Sequence, residues 1–253
     1  MKYCLSSRQG KEFLSCADEI MVQSKDYLTL FDLLEKFPQK TFILRVELDS
    51  NIDWNIIRGC NKNGNLICCL ENLQDIEKCR IYGVPFYYAY QVNSFFELQG
   101  LKDLGVVYAY IGMPLFFQMD EVKKVGIPLR AIPNLAYDAY IPHMNGICGQ
   151  WIRPEDMDIY EEYFSACEFK TTSEEKERAL FRIYAQDKKW PGDLSTLISN
   201  LNVSCNNNVV YKDLVEKRLN CGQVCQQRGS CHYCERALTF DQTVIEYKES
   251  KSK

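Results

Sequence analysis

Four cysteines pose the first chemical question. Cys221, Cys225, Cys231 and Cys234 fall within fourteen residues, spaced Cys-x3-Cys-x5-Cys-x2-Cys and interleaved with Gly222, Gly229 and polar residues that favour turns. Thiolates this close repel one another and oxidise unless a cation neutralises them, so the quartet predicts a bound metal or an iron-sulfur cluster. Chance clustering is the competing reading. Structural zinc prefers two short cysteine knuckles joined by a longer spacer, and the gap between Cys225 and Cys231 is short for that. A 4Fe-4S cluster accepts close, unequal spacing because each iron takes one thiolate. A contiguous radical-SAM order, Cys-x3-Cys-x2-Cys, is absent. His232 could replace a thiolate or be an ordinary loop histidine. Cys148, Cys167 and Cys205 form a sparser set, either reserve ligands or core thiols.

The elements that would position such a site follow a regular rhythm. Apolar runs near Lys2–Leu5, Glu19–Gln23, Thr41–Glu47, Leu66–Glu71, Pro85–Tyr90, Val106–Ile111, Pro128–Asn134 and Cys148–Arg153 read as eight strands. Helical segments lie between them, at Tyr27–Lys36, Trp54–Cys60, Leu73–Tyr82, Ser94–Leu104, Leu115–Val125 and Glu155–Phe164. Gly83, Gly105 and Gly126 follow helices as left-handed caps should. Alternating strands and helices predict a parallel sheet with crossover helices, and eight such units predict an α/β (β/α)8 TIM-barrel-like fold. At about 21 residues per unit the barrel must be minimal or distorted; an open doubly wound sheet is the alternative. The expected division is a βα barrel domain over 1–170 and, over 171–253, a helical extension with a Cys-rich metal-binding tail. In that extension Glu168–Lys170 reads as one more short strand, Thr172 and Glu175 as a capping box, Ser173–Lys188 as a long helix and Leu194–Leu201 as a short one.

Chemistry on such a sheet gathers at the C-terminal ends of the strands. The residues closing the predicted strands are polar: Gln23, Glu47, Glu71, Gln91, Asn134 and Arg153. Strand alternation puts Arg45 with Glu47 on one face and Arg130 with Asn134 on another. Arg45, Glu47, Glu71, Arg130 and Arg153 are therefore the expected substrate-binding residues, although strands also end in polar residues simply because they meet water. Tyr87, Tyr88, Tyr90, Tyr108 and Tyr110 could stack on a planar substrate or fill the barrel. Hydrolytic chemistry finds little support. The only histidines are His143 and His232, with no His-Glu-x-x-His, Gly-x-Ser-x-Gly or phosphate-binding glycine loop.

Composition sets the outer bounds. A length of 253 residues, 46% hydrophobic and 25% charged, suits one sizeable core. The net charge of -4 gives no electrostatic footprint for duplex DNA. No run of 18 apolar residues is present, and Met1-Lys2-Tyr3-Cys4 leads into a strand rather than a signal-peptide core, so a cytoplasmic protein without a membrane partner is expected. Thirteen cysteines in a chain of this length read as reduced thiols, most of them structural.

The run Gly146-Ile147-Cys148-Gly149-Gln150-Trp151-Ile152-Arg153-Pro154-Glu155-Asp156, then a helix, then Ala166-Cys167-Glu168-Phe169-Lys170 and a long helix, resembles the collagenase-like peptidase family U 32. The resemblance covers roughly residues 1–190 and rests on layout. It implies a TIM-barrel-like domain, a 4Fe-4S cluster and oxygen-independent hydroxylation or other modification of RNA bases or a related planar substrate, rather than proteolysis. Cluster ligands in that family tend to be dispersed, a pattern that Cys148, Cys167 and Cys205 match loosely, whereas the quartet is compact. The expected cofactor is thus a 4Fe-4S cluster, with zinc as the alternative. The competing function is a non-enzymatic adaptor for a protein partner, with a zinc-stapled tail. Whether the chain turns over a substrate is left open.

Overall fold

The computed structural model describes residues 1–136, 150–171, 173–201, 204–209, 214–219 and 221. Four βα units open the chain: β1 (Lys2–Ser6), α1 (Lys11–Cys16), β2 (Glu19–Gln23), α2 (Leu30–Lys36), β3 (Thr41–Val46), α3 (Trp54–Cys60), β4 (Leu66–Leu70) and α4 (Asp75–Tyr82). Shorter elements follow: β5 (Phe86–Tyr88), β6 (Gln91–Val92), α5 (Phe95–Asp103), β7 (Tyr110–Ile111), α6 (Met113–Phe116), α7 (Met119–Val125) and β8 (Leu129–Ala131). Then come α8 (Met157–Tyr160), β9 (Phe164–Glu168), α9 (Glu174–Phe181), α10 (Leu194–Leu197) and α11 (Leu214–Leu219).

Seven strands form one parallel sheet in the order β5-β4-β3-β2-β1-β9-β8. The segment before β7 hydrogen-bonds to both edges of that sheet. Val107 N donates to Phe86 O at 3.0 Å beside β5, Ala109 N donates to Pro128 O at 3.0 Å, and Arg130 N donates to Ala109 O at 2.9 Å beside β8. The strands run round in chain order with the first beside the last and no reversal of direction. A doubly wound sheet requires such a reversal, so the architecture is α/β and TIM-barrel-like.

The strands form where parallel-sheet physics requires. Phe42, Ile43, Leu44 and Val46 on β3, and Leu66, Cys68, Cys69 and Leu70 on β4, are buried, as expected for strands covered on both faces. Each fully buried aliphatic side chain contributes about 1.5–3 kcal/mol relative to exposure. Helix ends follow capping chemistry. Ser94 and Glu97 form a capping box on α5, and Gly83 and Gly126 end α4 and α7 at φ 66° and 74°, where a Cβ would be strained.

Several expected elements differ. Residues 150–153 carry no strand, and Cys148 lies outside the described residues. Trp151 is instead fully buried under the Arg218 guanidinium, 4.3 Å from its ring, while Arg153 is tied to Asp156. The place between β1 and β8 belongs to β9, Phe164–Glu168, which overlaps the short strand expected at Glu168–Lys170 only at its last residue. The helix expected over Leu115–Val125 is two helices, α6 and α7, and the one expected over Ser173–Lys188 is α9 followed by a π-helical turn at Arg182–Asp187. Ser173 caps α9, accepting from Lys176 N at 3.4 Å, and Thr172 of the expected capping box lies outside the described residues.

Candidate functional site at the mouth of the sheet

Sheet register builds the site. Gln23, Arg45, Cys69 and Tyr87 stand side by side on four successive strands, and Cys4 is flanked by Glu19 and Glu168. Because alternate residues share a face, these rows give one side of the sheet an interior of polar and soft side chains. Among its members is Arg130, fully buried. Arg130 Nη1 donates to Glu19 Oε2 at 2.6 Å, and its Nε is 3.4 Å from Glu168 Oε2. The guanidinium lies 5.4 Å from the Tyr87 ring and 5.3 Å from that of Tyr108, whose hydroxyl donates to Glu19 Oε1 at 3.0 Å. Burial, reinforced by the Glu19 carboxylate, pushes the Tyr108 phenol well above its ordinary range. Burial also pushes the Cys69 thiol up to about 12, so it remains a neutral thiol.

Above this interior, a cavity of about 670 Å³ opens at the C-terminal ends of β1, β2, β3, β4 and β9. Arg45, Glu47 and Glu71 line it, as expected from the strand ends. Arg45 Nε donates to Glu71 Oε1 at 2.9 Å, with side chains 24% and 22% exposed, and Ser24 Oγ donates to Glu47 Oε2 at 3.1 Å. A second hollow of about 590 Å³ adjoins it and shares Lys25, Glu47 and Glu71. Helix α9 supplies the far wall through Ser173, Glu174, Lys176 and Glu177. Glu177 fastens that helix to β1, accepting from Ser6 N at 2.9 Å and from Gln9 Nε2 at 2.5 Å; burial raises its pKa above the usual carboxylate range.

The remaining expected site residues lie elsewhere. Arg130 sits beneath the cavity, and Arg153 makes two hydrogen bonds to Asp156, at 2.5 and 2.6 Å. Neither is among the cavity-lining residues. Asn134 binds the backbone of Lys170 at both its amide nitrogen and oxygen, each at 2.9 Å, in the manner of a strand partner. Tyr87, Tyr88, Tyr108 and Tyr110 are buried, and among the described residues Phe169 is the one aromatic side chain lining the cavity. Glu168, Lys170, Lys176, Glu177 and Glu19 were not anticipated. Glu168 escapes a strand-end reading because its strand closes at that residue rather than opening there, and Glu19 because a charged residue opening an apolar run reads as a solvated strand end.

Of the thiol quartet, Cys221 follows α11 and is half-buried against the core, while Cys225, Cys231 and Cys234 lie outside the described residues, as does His232. Cys167 and Cys205 are buried; burial, with the nearby Asp193 carboxylate, pushes the Cys205 thiol up to about 12. Among the described residues no three His, Cys, Asp or Glu side chains are grouped as metal ligands. The donor chemistry of the quartet itself, four soft thiolates, fits an iron-sulfur cluster or zinc.

No protein-family model matches the sequence, and no curated protein matches it. The likeness to peptidase family U 32 has no counterpart in these comparisons. Among solved structures, a glycerol uptake operon antiterminator-related protein from Thermotoga maritima is 15% identical, with 68% of this chain and 95% of that chain covered and a TM-score of 0.41. A designed cube-shaped porous protein cage, made by fusing symmetric oligomeric domains, is 12% identical, with 74% and 72% covered and a TM-score of 0.44. Among the described residues no helix is long and apolar enough to cross a membrane.

Proposed function

We propose that this chain is an iron-sulfur protein whose barrel mouth binds and modifies a small polar substrate. The observation behind this reading is the cavity of about 670 Å³ at the C-terminal strand ends, where the Arg45–Glu71 pair and Glu47 face solvent from a rigid sheet. That volume lies in the range of small-molecule sites, and that end of a parallel barrel-like sheet is where catalytic groups gather. A planar RNA base, the substrate implied by the family resemblance, would find one ring to stack on there, Phe169, because Tyr87, Tyr88, Tyr108 and Tyr110 are buried and the exposed Tyr90 does not line the cavity. Charged or strongly hydrogen-bonding substrates match the lining better.

Cys221, Cys225, Cys231 and Cys234 would hold the 4Fe-4S cluster, which supplies one-electron transfer when bound. This chain's own residues do the rest. Arg45, fixed by Glu71, orients an anionic or carbonyl group, and Glu47 accepts a hydrogen bond from the substrate. Two measurements test the two halves separately. Anaerobic purification of the full chain should give brown protein with about four irons per chain; colourless protein carrying one zinc removes the cluster and leaves the adaptor reading in its place. Ligand-observed NMR with a panel of small polar metabolites should find binding that Arg45→Ala abolishes, and binding insensitive to Arg45, Glu47 and Glu71 removes the mouth as the site.

A further inference from the structure

Charge in the mouth is sorted by depth. Glu47, Glu71, Glu168 and Glu177 line the cavity as buried or half-buried side chains, and Glu19 lies beneath them. Among the described residues only Arg45 and Arg130 offset these five carboxylates at that depth. At the exposed rim the balance reverses: Arg8, Lys25, Lys170 and Lys176 stand against Glu174. The three lysines enter no salt bridge among the described residues, and Arg8 pairs with Asp26 at 3.6 Å.

The floor is also unevenly paired. Glu168 lines the cavity with its side chain 12% exposed, and its buried Oε2 meets Arg130 Nε only at 3.4 Å, beyond good hydrogen-bond geometry. Arg130, fully buried behind it, makes its close contact with Glu19 instead, at 2.6 Å, so one guanidinium serves two carboxylates. Two carboxylates on one cation leave negative charge uncompensated in a desolvated place, a costly arrangement unless another positive group approaches. Water can satisfy a lone orphan atom, but it does not neutralise an excess of charge.

We propose that the mouth takes an elongated zwitterion, with a protonated amine lowered onto Glu168 and an anionic end held at the rim by Lys170 and Lys176. This rests on the mouth being the ligand site, and it names the class of ligand. A dianion would bring like charge to the floor, and a dication would bring like charge to the rim. Each is disfavoured at one end by Coulomb repulsion, so selectivity arises from the reversal itself. Arg130 is a positioning residue that holds the Glu168 carboxylate from below.

Three probes of one chain length test this on the full chain by calorimetry: ε-aminocaproate, adipate and hexamethylenediamine. The zwitterion should bind about tenfold or more tightly than either of the others. Glu168→Gln should weaken it about tenfold, as loss of a charged hydrogen-bond partner does. The paired charge reversal Lys170→Glu with Lys176→Glu lies on exposed side chains and should swap the preference to hexamethylenediamine, an outcome that a purely structural role would not produce. Three results overturn the inference: a preference for adipate or the diamine in the native chain, no binding of any probe, or a preference unmoved by the charge reversal. If adipate or the diamine binds best and Arg45→Ala removes that binding, the mouth remains the site and only the ligand class falls.

Discussion

The two halves of the sheet are built on different principles. From β1 to β4 the strands are five or six residues long and rich in aliphatic side chains. From β5 round to β8 they shrink to two or three residues, and the connection between β5 and β8 runs through a few backbone hydrogen bonds at Val107 and Ala109. Tyr87, Tyr108 and Tyr110, packed around Arg130, replace the missing ladder. One half is held by continuous hydrogen bonding and burial, the other by a single buried cation with its rings and carboxylates. The mouth cavity opens mainly against the first half and β9, so the binding surface is carried by the half with the longer ladders.

The contrast breaks most visibly at Arg130. Arg130→Ala leaves Glu19 and Glu168 buried without their cation, and urea denaturation should show a loss of about 3–5 kcal/mol. Replacing the whole cluster with uncharged residues, Arg130→Met with Glu19→Gln and Glu168→Gln, should recover much of that loss, because the penalty belongs to the unpaired charges. If Arg130→Ala costs no more than an ordinary surface substitution, the second half has another support.

A core substitution in the aliphatic half provides the counterpart. Leu44→Ala should cost about 2–5 kcal/mol through lost burial and a residual cavity. Hydrogen exchange in the native protein should sharpen the difference further. Amides of β2, β3 and β4 should exchange only through global opening, and those of Val107 and Ala109 earlier. Equal protection in the two regions would show that the short strands are as firmly held as the long ones.

How far the sequence announced this division depends on the residues. Aliphatic runs such as Thr41–Val46 and Leu66–Leu70 are legible because both faces are apolar and a turn follows each run. Cys148–Arg153 is less apolar, with Gly149, Gln150 and Arg153 among its six residues, and Trp151 is drawn under Arg218 and Arg153 to Asp156, side-chain partnerships that no periodicity reveals. Alternation groups Arg130 with Asn134 on one face, yet depth along a strand is set by the stagger of its neighbours. A residue near a strand end can therefore sit beneath the mouth rather than in it. Arg45, Glu47 and Glu71 reach the cavity because they lie at or just past the ends of β3 and β4, which a strand-end reading can see; Lys176 and Glu177 come from a helix folded back over the opening, which it cannot.

That helix gives a weaker test, and its sign follows from burial. Glu177 titrates above the usual carboxylate range in the folded chain. Its contribution to stability is therefore full below the unfolded carboxylate value and is lost as pH rises through the raised one. Glu177→Gln removes that titration, so the variant should gain on the native chain as pH rises through the carboxylate range, by less than the core substitutions change it. Denaturation midpoints at several pH values check this, and parallel curves for the two proteins contradict it.

The smallest expected stability effect is at the pair most exposed to ligand. Arg45 and Glu71 are each about three-quarters covered but open to the cavity. Pairs with this access to water contribute roughly 0–1 kcal/mol, because solvent screens the attraction and the long side chain loses freedom. Arg45→Ala should thus leave the denaturation midpoint nearly unchanged while removing binding at the mouth. Arg130→Ala should do the reverse in emphasis, with a large loss of stability and a loss of binding only through the displacement of Glu168. Measuring both quantities on both variants separates a residue that meets ligand from one that holds the floor. If Arg45→Ala destabilised the chain as much as Arg130→Ala, the mouth and the interior would be one continuous structural network rather than a binding surface laid over a support.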